Sequence, residues 1–460
     1  MTSRAWTVVA LLAMVIIGGS AFWLRCEGTL PSFTAPDSIV VGREGASLLL
    51  SATDADSGIR RFSVVLRHSG GEQTLLHRTY PGNPVTGGAF GATDPEQVRI
   101  DPEKLGLQDG DAFLRVEAED WSWANFFSGN VGSVEIPVTI DLTAPRVRVE
   151  TGLTYVRRAG SAFVVYRMSE PAARDGVEIG DVFFPGYPVP GGAENAVPGG
   201  ADQVRRVALF AVPRNAAEQP SIRVVAMDAA GNRAARGWNT RLQDRAFDEV
   251  RIELSQRFMN EKVTELAEIL EIEEGDPVSN FQKINRDVRA DNEQRIREIV
   301  SSSSPEPLWS GSFLQMRGSA VTSRFAEHRS YFLGGEKVSE AIHFGYDLAS
   351  TARAPIEASA AGRVLFADEL GIYGNCVILD HGLGVASLYA HLSRIDVGPE
   401  ESVTRGQTLG LSGSTGLAGG DHLHFAILVS GTYVDPKEWW DPKWVREHIE
   451  NRIEAATPSP

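Results

Sequence analysis

Cysteine and basic residues are scarce in this chain. Its 460 residues include only two cysteines, which cannot form a disulfide framework, and Cys26 and Cys376 lie so far apart in sequence that no bridge between them is expected. Lysine and arginine number 44 against 60 acidic residues, which gives a net charge of −16. Phosphate binding needs a basic patch, so the composition predicts no nucleic-acid partner.

One stretch lacks charge over a length that could cross a bilayer. Residues 5–24 contain no charged side chain and lie between Arg4 and Arg25. About 20 apolar residues suffice for a transmembrane helix, and the run exceeds the roughly 7–15 residues of a signal-peptide core. We therefore predict an uncleaved N-terminal transmembrane helix. The alternative is a signal peptide cleaved near Gly19-Ser20-Ala21, and either interpretation exports the rest of the chain.

Two similar units follow. Residues 34–36 (Thr-Ala-Pro) recur at 143–145, and residues 115–120 correspond to 223–228, so the two matches agree on a repeat of 108–109 residues. Short alternating apolar runs lie between Gly/Pro/Asp-rich turns in both units. This pattern predicts two immunoglobulin-like β-sandwiches that act as spacers, with ligand-binding domains as the alternative.

The apolar period then changes from that of strands to that of helices. Phe247, Leu254 and Phe258 fall at helical spacing, and a second helical pattern covers residues 281–299 before a serine run at 301–304. We predict a helical hairpin and linker that connect the sandwiches to the last domain. A regulatory lid over that domain is the alternative.

Histidine is concentrated near the C-terminus, where five of the nine histidines lie between His343 and His424. The surrounding sequence predicts strands, and alternation along a strand places His422 and His424 on one face, about 7 Å apart. His343 and Asp347 are four residues apart across a glycine, which allows both side chains to meet one ion.

Histidines and a carboxylate at such spacings suggest a zinc site. A structural zinc site usually has a fourth Cys or His ligand, whereas a catalytic site keeps a position open for water. No cysteine pair is available here, which favours the open type. His381, His328 and His448 are assigned to ordinary core or surface roles.

The order of motifs around these histidines resembles the lysostaphin-type (LytM domain) zinc endopeptidases, which cut peptidoglycan. The resemblance covers residues 308–440. Asp421 is a departure, because many relatives have proline before His-Leu-His. The matching motifs are His343-x-x-x-Asp347, Val377-Ile378-Leu379-Asp380-His381-Gly382, Tyr389-Ala390-His391-Leu392-Ser393, Gly406-Gln407, Gly413-Ser414-Thr415-Gly416 and His422-Leu423-His424-Phe425.

This resemblance implies one zinc ion per peptidase domain, held by His343, Asp347 and His424, with His391 and His422 as unligated catalytic histidines. His422 is the predicted general base, and His391 is predicted to hold the water or stabilise the oxyanion. The implied activity is hydrolysis of peptide cross-links in bacterial peptidoglycan. The alternative is a non-catalytic activator or binding module of the same fold that regulates other cell-wall hydrolases.

The resulting prediction is a mainly β chain, anchored in the cell inner membrane as a single-pass protein with its bulk in the periplasm. Its predicted partners are peptidoglycan peptides, the membrane through residues 5–24, and cell-envelope proteins at the Ig-like domains. The predicted segments are an anchor (1–27), two Ig-like β-sandwiches (28–142 and 143–243), a helical connector with a Ser/Pro linker (244–307), an antiparallel β barrel-sandwich peptidase domain (308–442) and a C-terminal tail (443–460).

Overall fold

The structure is a computed structural model that describes residues 3–191, 204–272 and 275–457. It is 44% strand and 20% helix, which confirms the mainly β prediction. The chain divides into two compact units. The first comprises residues 1–144 with 227–233, and the second comprises residues 145–226 with 234–460. The predicted segment boundaries stay predictions.

The chain begins with helix α1 (Ser3–Arg25), whose described apolar side chains are exposed. Across the described ranges, no helix is long and apolar enough to cross a membrane. The predicted transmembrane helix is therefore not supported.

In the first unit, two antiparallel-rich sheets enclose one apolar core. One sheet has the strand order β2-β11-β10-β4-β5, and in the other β3 pairs with β1, β8 and β9. Strand β4 shows why the sheets face each other, because it buries Phe62, Val64 and Leu66 on one side only. The elements are β1 Ser32–Thr34, β2 Ile39–Val41, β3 Ala46–Asp54, β4 Ile59–His68, β5 Gly71–Thr79, β6 Gly82–Asn83, β7 Gly87–Gly88, β8 Gly91–Ala92, β9 Glu96–Ile100, α2 Pro102–Leu105, β10 Gly110–Asp120, α3 Ala124–Phe127 and β11 Val131–Ile140.

The second repeat also forms two four-stranded sheets, ordered β12-β14-β18-β17 and β16-β15-β19-β20, with a separate β13-β21 pair. Strand β14 is buried on both faces, so its apolar run is nearly continuous. The strands are β12 Val147–Val149, β13 Thr154–Arg157, β14 Ser161–Met168, β15 Arg174–Ile179, β16 Val182–Pro185, β17 Tyr187–Pro188, β18 Val204–Ala211, β19 Ile222–Met227, β20 Arg233–Gly237 and β21 Thr240–Gln243.

The connector begins with a strand, which corrects the predicted helix at residues 247–254. Val250 and Ile252 alternate with exposed residues in β22 (Glu249–Glu253), which pairs in parallel with a strand of the last domain. Val250, Ile252 and Leu254 follow one another at two-residue spacing, and Val250 and Leu254 are four residues apart, so the pattern fits a strand as well as a helix. Pairing with a neighbouring strand favours the strand. Helix α4 starts only at Gln256, where the Ser255 side chain accepts a hydrogen bond from the Phe258 amide.

The second predicted helix is confirmed. Asp276 caps its N-terminus by accepting hydrogen bonds from the Val278 and Ser279 amides, and Pro277 occupies the first turn. Phe281, Ile284 and Ile296 are buried on one face. The helical elements are α4 Gln256–Phe258, a π-helical turn Met259–Val263, α5 Thr264–Ile269, α6 Pro277–Lys283, a π-helical turn Ile284–Val288 and α7 Arg289–Ile299.

The last domain is built on a large sheet ordered β23-β26-β34-β30-β29-β28-β32, with β35 paired to β34. Smaller sheets β22-β24-β25 and β27-β33-β31 accompany it, and the strands predicted around the histidines are confirmed. The strands are β23 Ala320–Ser323, β24 Glu327–Leu333, β25 Glu336–His343, β26 Tyr346–Ala349, β27 Pro355–Glu357, β28 Gly362–Glu369, β29 Asn375–Gly382, β30 Val385–Leu392, β31 Arg394–Ile395, β32 Ser402–Val403, β33 Thr408–Leu411, β34 Leu423–Val429 and β35 Thr432–Val434, with a 3₁₀ turn at Gly371–Tyr373.

Short helices end the chain and pack onto the second repeat. Arg452 donates a hydrogen bond to the Phe163 carbonyl, and Ile449 is buried. In the preceding helix the buried Glu438 carboxylate accepts a 2.9 Å hydrogen bond from the Ser161 amide. The helices are α8 Pro436–Trp440, α9 Pro442–Val445, a π-helical turn Arg446–Glu450 and α10 Asn451–Ala456.

Glu438 makes stability depend on pH. Burial, with a smaller contribution from Asp435, raises its pKa from 4.5 to about 7. The folded state therefore holds the Glu438 proton more tightly than the unfolded chain, so folding is favoured below pH 4.5 and loses stability as pH rises towards 7. At about 1.4 kcal/mol per pKa unit, the loss is roughly 3 kcal/mol. We expect Glu438→Gln to remove this loss, so that its thermal stability exceeds wild type at pH 8 but not at pH 4.5.

The matched control is Glu447→Gln, since Glu447 is an exposed carboxylate in the same helical segment. Its stability difference from wild type should stay constant across the same pH range. A Glu438→Gln difference that does not change with pH would contradict the assignment.

Candidate active site

Three of the predicted site residues converge on one point. His343 Nε2 lies 2.8 Å from Asp347 Oδ1 and 3.0 Å from His424 Nδ1, and His424 Nδ1 lies 2.9 Å from Asp347 Oδ1. All three side chains are buried. The structure therefore brings the predicted ligand set together as a triangle with sides of about 3 Å.

The pairing of two strands produces this convergence. Asp347 in β26 is the cross-strand partner of His424 in β34. Between the two predicted ligands of the first motif, Gly345 passes so close to His424 that an added Cβ would come within 2.5 Å of the imidazole. The motif therefore requires glycine because His424 occupies the space where a side chain would be.

Groups around the triangle fix the orientation of its members. His343 Nδ1 lies 2.9 Å from the Arg324 carbonyl, so it carries the proton and leaves a lone pair on Nε2. Asp347 Oδ2 accepts a 3.0 Å hydrogen bond from Arg329, which leaves Oδ1 for the triangle. The lone pairs of His343 Nε2 and Asp347 Oδ1 thus point into the triangle, and a neutral His424 ring, which its lowered pKa favours, can present Nδ1 as the third ligand atom. Three such atoms about 3 Å apart suit a small divalent cation and fit a zinc ion with His₂Asp ligation.

The other two predicted residues lie beside the triangle. The rings of His391 and His422 are 4.8 Å apart, and the His391 ring is 5.9 Å from that of His424. His391 Nδ1 donates to the Thr415 carbonyl, and His422 Nδ1 donates to the Gly420 carbonyl, each at 2.8 Å. Because both Nδ1 atoms are used in this way, both Nε2 atoms carry lone pairs when the rings are neutral.

The backbone at His391 is unusual. Its φ is +66°, in the left-handed region that few residues other than glycine adopt. His422 lies just before β34 and forms an isolated bridge with Gly413. Its Nε2 is 3.6 Å from Asp347 Oδ1, so His422 and His424 both face Asp347, as strand alternation predicts.

Burial and one carboxylate set the charge of these groups. Burial lowers the pKa of His424 to about 4 and holds the pKa of His391 well below its ordinary value. Burial also lowers the pKa of His422, but the hydrogen bond and charge of Asp347 outweigh it, so this pKa is raised. Burial raises the pKa of Asp347, and the neighbouring histidines more than reverse this, holding it well below its usual range.

The helical connector forms part of the site's wall. A cavity of about 400 Å³ is lined by the triangle together with Leu254, Phe258, Phe281 and Arg289. The connector is fixed there by polar contacts as well as apolar packing. Gln282 Nε2 donates to the Val338 carbonyl, Asn285 Nδ2 donates to Ser339 Oγ, the Ile372 amide donates to Asn292 Oδ1, and Tyr373 Oη donates to Glu293.

Three further histidines of the second unit lie away from the triangle. His381 is buried, bonded to the Ala361 carbonyl and Ser387 Oγ, and burial lowers its pKa to about 4. His328 lies 3.0 Å from Glu249, and His448 stacks on Trp444. These placements agree with ordinary structural roles.

Two arginines of the site escaped prediction. Arg329 and Arg289 line the cavity, yet both lie outside the motifs of the last domain. The only available signal for Arg329 was its position in an alternating strand, which does not reveal a neighbour far away in sequence. Arg289 lies on α7, whose many charged residues are typical of a solvated helix surface.

Comparisons with known proteins agree with this geometry. Residues 341–436 match the family described as Peptidase family M23. Over 95 residues the chain is 41% identical to the DD-carboxypeptidase/endopeptidase Mpg of Neisseria meningitidis serogroup B, covering 21% of this chain and 22% of that protein. Over 196 residues it is 29% identical to the peptidoglycan DD-endopeptidase ShyA of Vibrio cholerae serotype O1, covering 42% of each.

The chain thus spans between about a fifth and two fifths of the length of these curated relatives. The catalytic domain of lysostaphin from Staphylococcus simulans is 27% identical, with a TM-score of 0.24, covering 28% of this chain and 98% of that one. The resemblance to LytM-type peptidases is confirmed. The similarity to peptidase family M23 thus lies in residues 341–436, which contain all five predicted site residues.

Proposed function

We propose that this protein is a zinc-dependent endopeptidase that hydrolyses peptide cross-links of bacterial peptidoglycan. The observation that carries the proposal is the triangle of His343, Asp347 and His424, whose three converging lone pairs match a zinc site with an open position. The relatives named as peptidoglycan endopeptidases support the choice of substrate.

In this proposal the triangle residues would hold one zinc ion, which when bound would supply Lewis acidity towards a carbonyl group and a water nucleophile near neutral pH. Arg329 holds the Asp347 carboxylate in place, and the Arg324 carbonyl fixes the His343 tautomer. These contacts keep the ligands preorganised.

His422 acts as the general base, because its Nε2 carries a lone pair on the side that faces Asp347. His391 presents a second Nε2 lone pair from a buried ring, which can accept a hydrogen bond from the attacking water and hold it in place. In the neutral form His391 cannot donate from Nε2. Its support of an oxyanion therefore requires that it first gain a proton.

The cavity wall favours a peptide that carries carboxylates. Arg289 donates hydrogen bonds to the carbonyl and side-chain oxygen of Asn285, and its charge also acts on the Glu293 carboxylate. In the described ranges no carboxylate lies within ion-pair distance of Arg289, and Leu254, Phe258 and Phe281 line the same cavity with apolar surface. A guanidinium in such a wall suits the free carboxylates of peptidoglycan peptides.

Location and the N-terminal repeats belong to the same proposal. Because peptidoglycan lies outside the cytoplasm, we place residues 28 onward in the periplasm. The two β units act as Ig-like spacers, with cell-envelope proteins as candidate partners.

A non-catalytic binding module of the same fold is not favoured. Such a module has no need for the three triangle residues and two further histidines to line one cavity, and all five do so here.

Removing either unligated histidine should separate metal binding from catalysis. We expect His422→Ala and His391→Asn to retain one zinc ion while losing most peptidase activity, because neither ring belongs to the triangle. Asparagine is used at position 391 because it tolerates positive φ. Zinc content measured by mass spectrometry and muropeptide digests of purified peptidoglycan, with and without chelator, provide the test.

His424→Ala serves as the comparison, since it should lose both zinc and activity. If His422→Ala or His391→Asn arrives without zinc, that residue's role here is wrong. If the wild-type protein releases no peptide products with zinc bound, the enzyme proposal itself fails.

Arg329 should strengthen zinc binding through Asp347. We expect Arg329→Met to weaken zinc affinity by about 10- to 100-fold, as loss of a ligand's supporting hydrogen bond typically does. Competition with a fluorescent chelator measures this. Arg363→Met is the control, because Arg363 pairs with Glu400 on the surface. Tighter zinc binding by Arg329→Met would show instead that the positive charge repels the ion more than the hydrogen bond orients its ligand.

Arg289 should affect substrate binding and leave zinc unchanged. We expect Arg289→Gln to raise KM by about 10-fold or more for a cross-linked peptide with free side-chain carboxylates, since a charge-assisted hydrogen bond is lost. KM for the same peptide in amidated form should change little. The control is Arg286→Gln, on the same helical segment but paired with Asp287. An equal rise in KM for both peptides would rule out carboxylate recognition by Arg289.

A further inference from the structure

A second cluster of ionisable groups lies in the first unit, far in sequence from the peptidase domain. Carboxylate oxygens of Glu27, Asp54 and Asp120 all lie within 4.8 Å of one another. Asp54 is 2% exposed and Asp120 is fully buried, while Glu27 is half-buried. Three carboxylates this close repel one another unless something compensates their negative charge.

The fold brings these residues together at one end of the sandwich. Asp54 is the last residue of β3 and Asp120 the last residue of β10, and Glu27 belongs to the segment between α1 and β1. Residues 54–58 turn tightly around Asp54, whose Oδ1 accepts hydrogen bonds from the Asp56, Ser57 and Gly58 amides.

The contacts of the other two carboxylates are neutral. Glu27 accepts hydrogen bonds from Ser57 Oγ, Asn130 Nδ2 and the Thr29 amide. Asp120 accepts from the Ser122 and Asn130 amides and from Asn130 Nδ2. All of these donors are uncharged, and within the described part of the chain no ion pair joins a basic side chain to any of the three. The Arg25 guanidinium lies nearby, but it donates to the Trp121 and Pro84 carbonyls, so the three carboxylates have no direct ion-pair partner among the described residues.

An unsatisfied atom provides independent evidence for a ligand. Asp54 Oδ2 is buried and has no hydrogen-bond partner, although Oδ1 of the same carboxylate accepts several. A buried carboxylate oxygen without any partner is costly. Asp54 belongs to the cluster. A cation bound by the three carboxylates would therefore both satisfy this oxygen and balance their negative charge.

The second repeat contains a natural comparison. Asp228 is the repeat counterpart of Asp120, and it too bonds an asparagine, with Oδ1 accepting from the Asn232 amide and Oδ2 from Asn232 Nδ2. In the described residues, Asp228 belongs to no group of three metal-binding side chains. The Asp–Asn pair is thus common to both repeats, and the surplus carboxylates of Glu27 and Asp54 distinguish the first.

We propose that Glu27, Asp54 and Asp120 form a calcium-binding site that fixes the segment after α1 to the end of the first sandwich. The donor atoms are all oxygen, with no histidine or cysteine, which selects a hard cation. Calcium accepts several carboxylates in flexible geometry, whereas magnesium demands a near-ideal octahedron and retains its waters. Calcium sites of extracellular modules bind at about 10⁻⁴–10⁻³ M.

The test uses the full chain with one equivalent of zinc present, so that the peptidase site is already filled. Terbium(III) replaces calcium as a luminescent probe, and Trp121 and Trp123, which follow Asp120 closely in sequence, serve as the excitation antennae. We expect one saturable luminescent site that calcium displaces and that magnesium displaces at least 10-fold less effectively. Asp54→Asn should weaken calcium binding by at least 10-fold, and Glu27→Gln should weaken it less.

Two controls separate the site from general effects. Asp94→Asn removes an exposed carboxylate of the same unit and should leave calcium binding unchanged. Asp228→Asn changes the buried counterpart of Asp120 in the second repeat, which lies outside the proposed site. It should therefore lower thermal stability by the same amount with and without calcium. If Asp54→Asn fails to fold, calcium binding by Glu27→Gln tests the proposal instead. The Glu27 side chain is only half-buried, so its replacement should leave the fold intact.

Thermal unfolding provides a second readout, because calcium would not change the unfolding midpoint if the three carboxylates had only a structural role. Calcium at 5 mM should raise the midpoint of wild type but not of Asp54→Asn, and in calcium-free buffer Asp54→Asn should be at least as stable as wild type because repulsion is relieved. The proposal is overturned if wild type shows no saturable site below 10 mM calcium. It is also overturned if Asp54→Asn and Glu27→Gln bind calcium as wild type does.

Discussion

One oxygen atom, Oδ1 of Asp347, is the point on which the peptidase domain depends. Three imidazoles face it, two at hydrogen-bond distance and His422 at 3.6 Å. Such crowding holds only if the neighbours are fixed: β26 must pair with β34 in one register, Gly345 must lack a side chain, and Arg329 must occupy the second oxygen. The strands, the glycine and the arginine thus all serve the position of a single carboxylate.

The connector shares in this arrangement. Its strand β22 extends the β24-β25 sheet, and its helices bury Phe281 against Tyr331, with ring centroids 5.3 Å apart. The buried apolar residues of the second repeat, the connector and the last domain belong to one continuous core. The triangle and the cavity wall of the connector therefore come from different segments of the sequence, but both segments belong to one structural unit.

The sequence was most informative where local pattern and chemistry coincided. Strand alternation placed His422 and His424 on one face, and the resemblance to LytM-type peptidases supplied the full set of five site positions. The apolar pattern over residues 281–299 predicted the second helical segment. Arg329 could not be located, because its role comes from a contact with Asp347, 18 residues away, that only the pairing of β24 and β25 creates. For the same reason, β22 resembled a helix until its partner strand was known.

The wall that Arg289 and Phe281 contribute lies outside the stretch that defines the peptidase family. The predicted metal ligands and the residues of this wall therefore lie in different stretches of the sequence. Coordination would constrain the ligands, whereas only packing constrains most of the wall. In the proposed enzyme, substitutions in the helices would reshape the substrate cavity and leave the triangle unchanged.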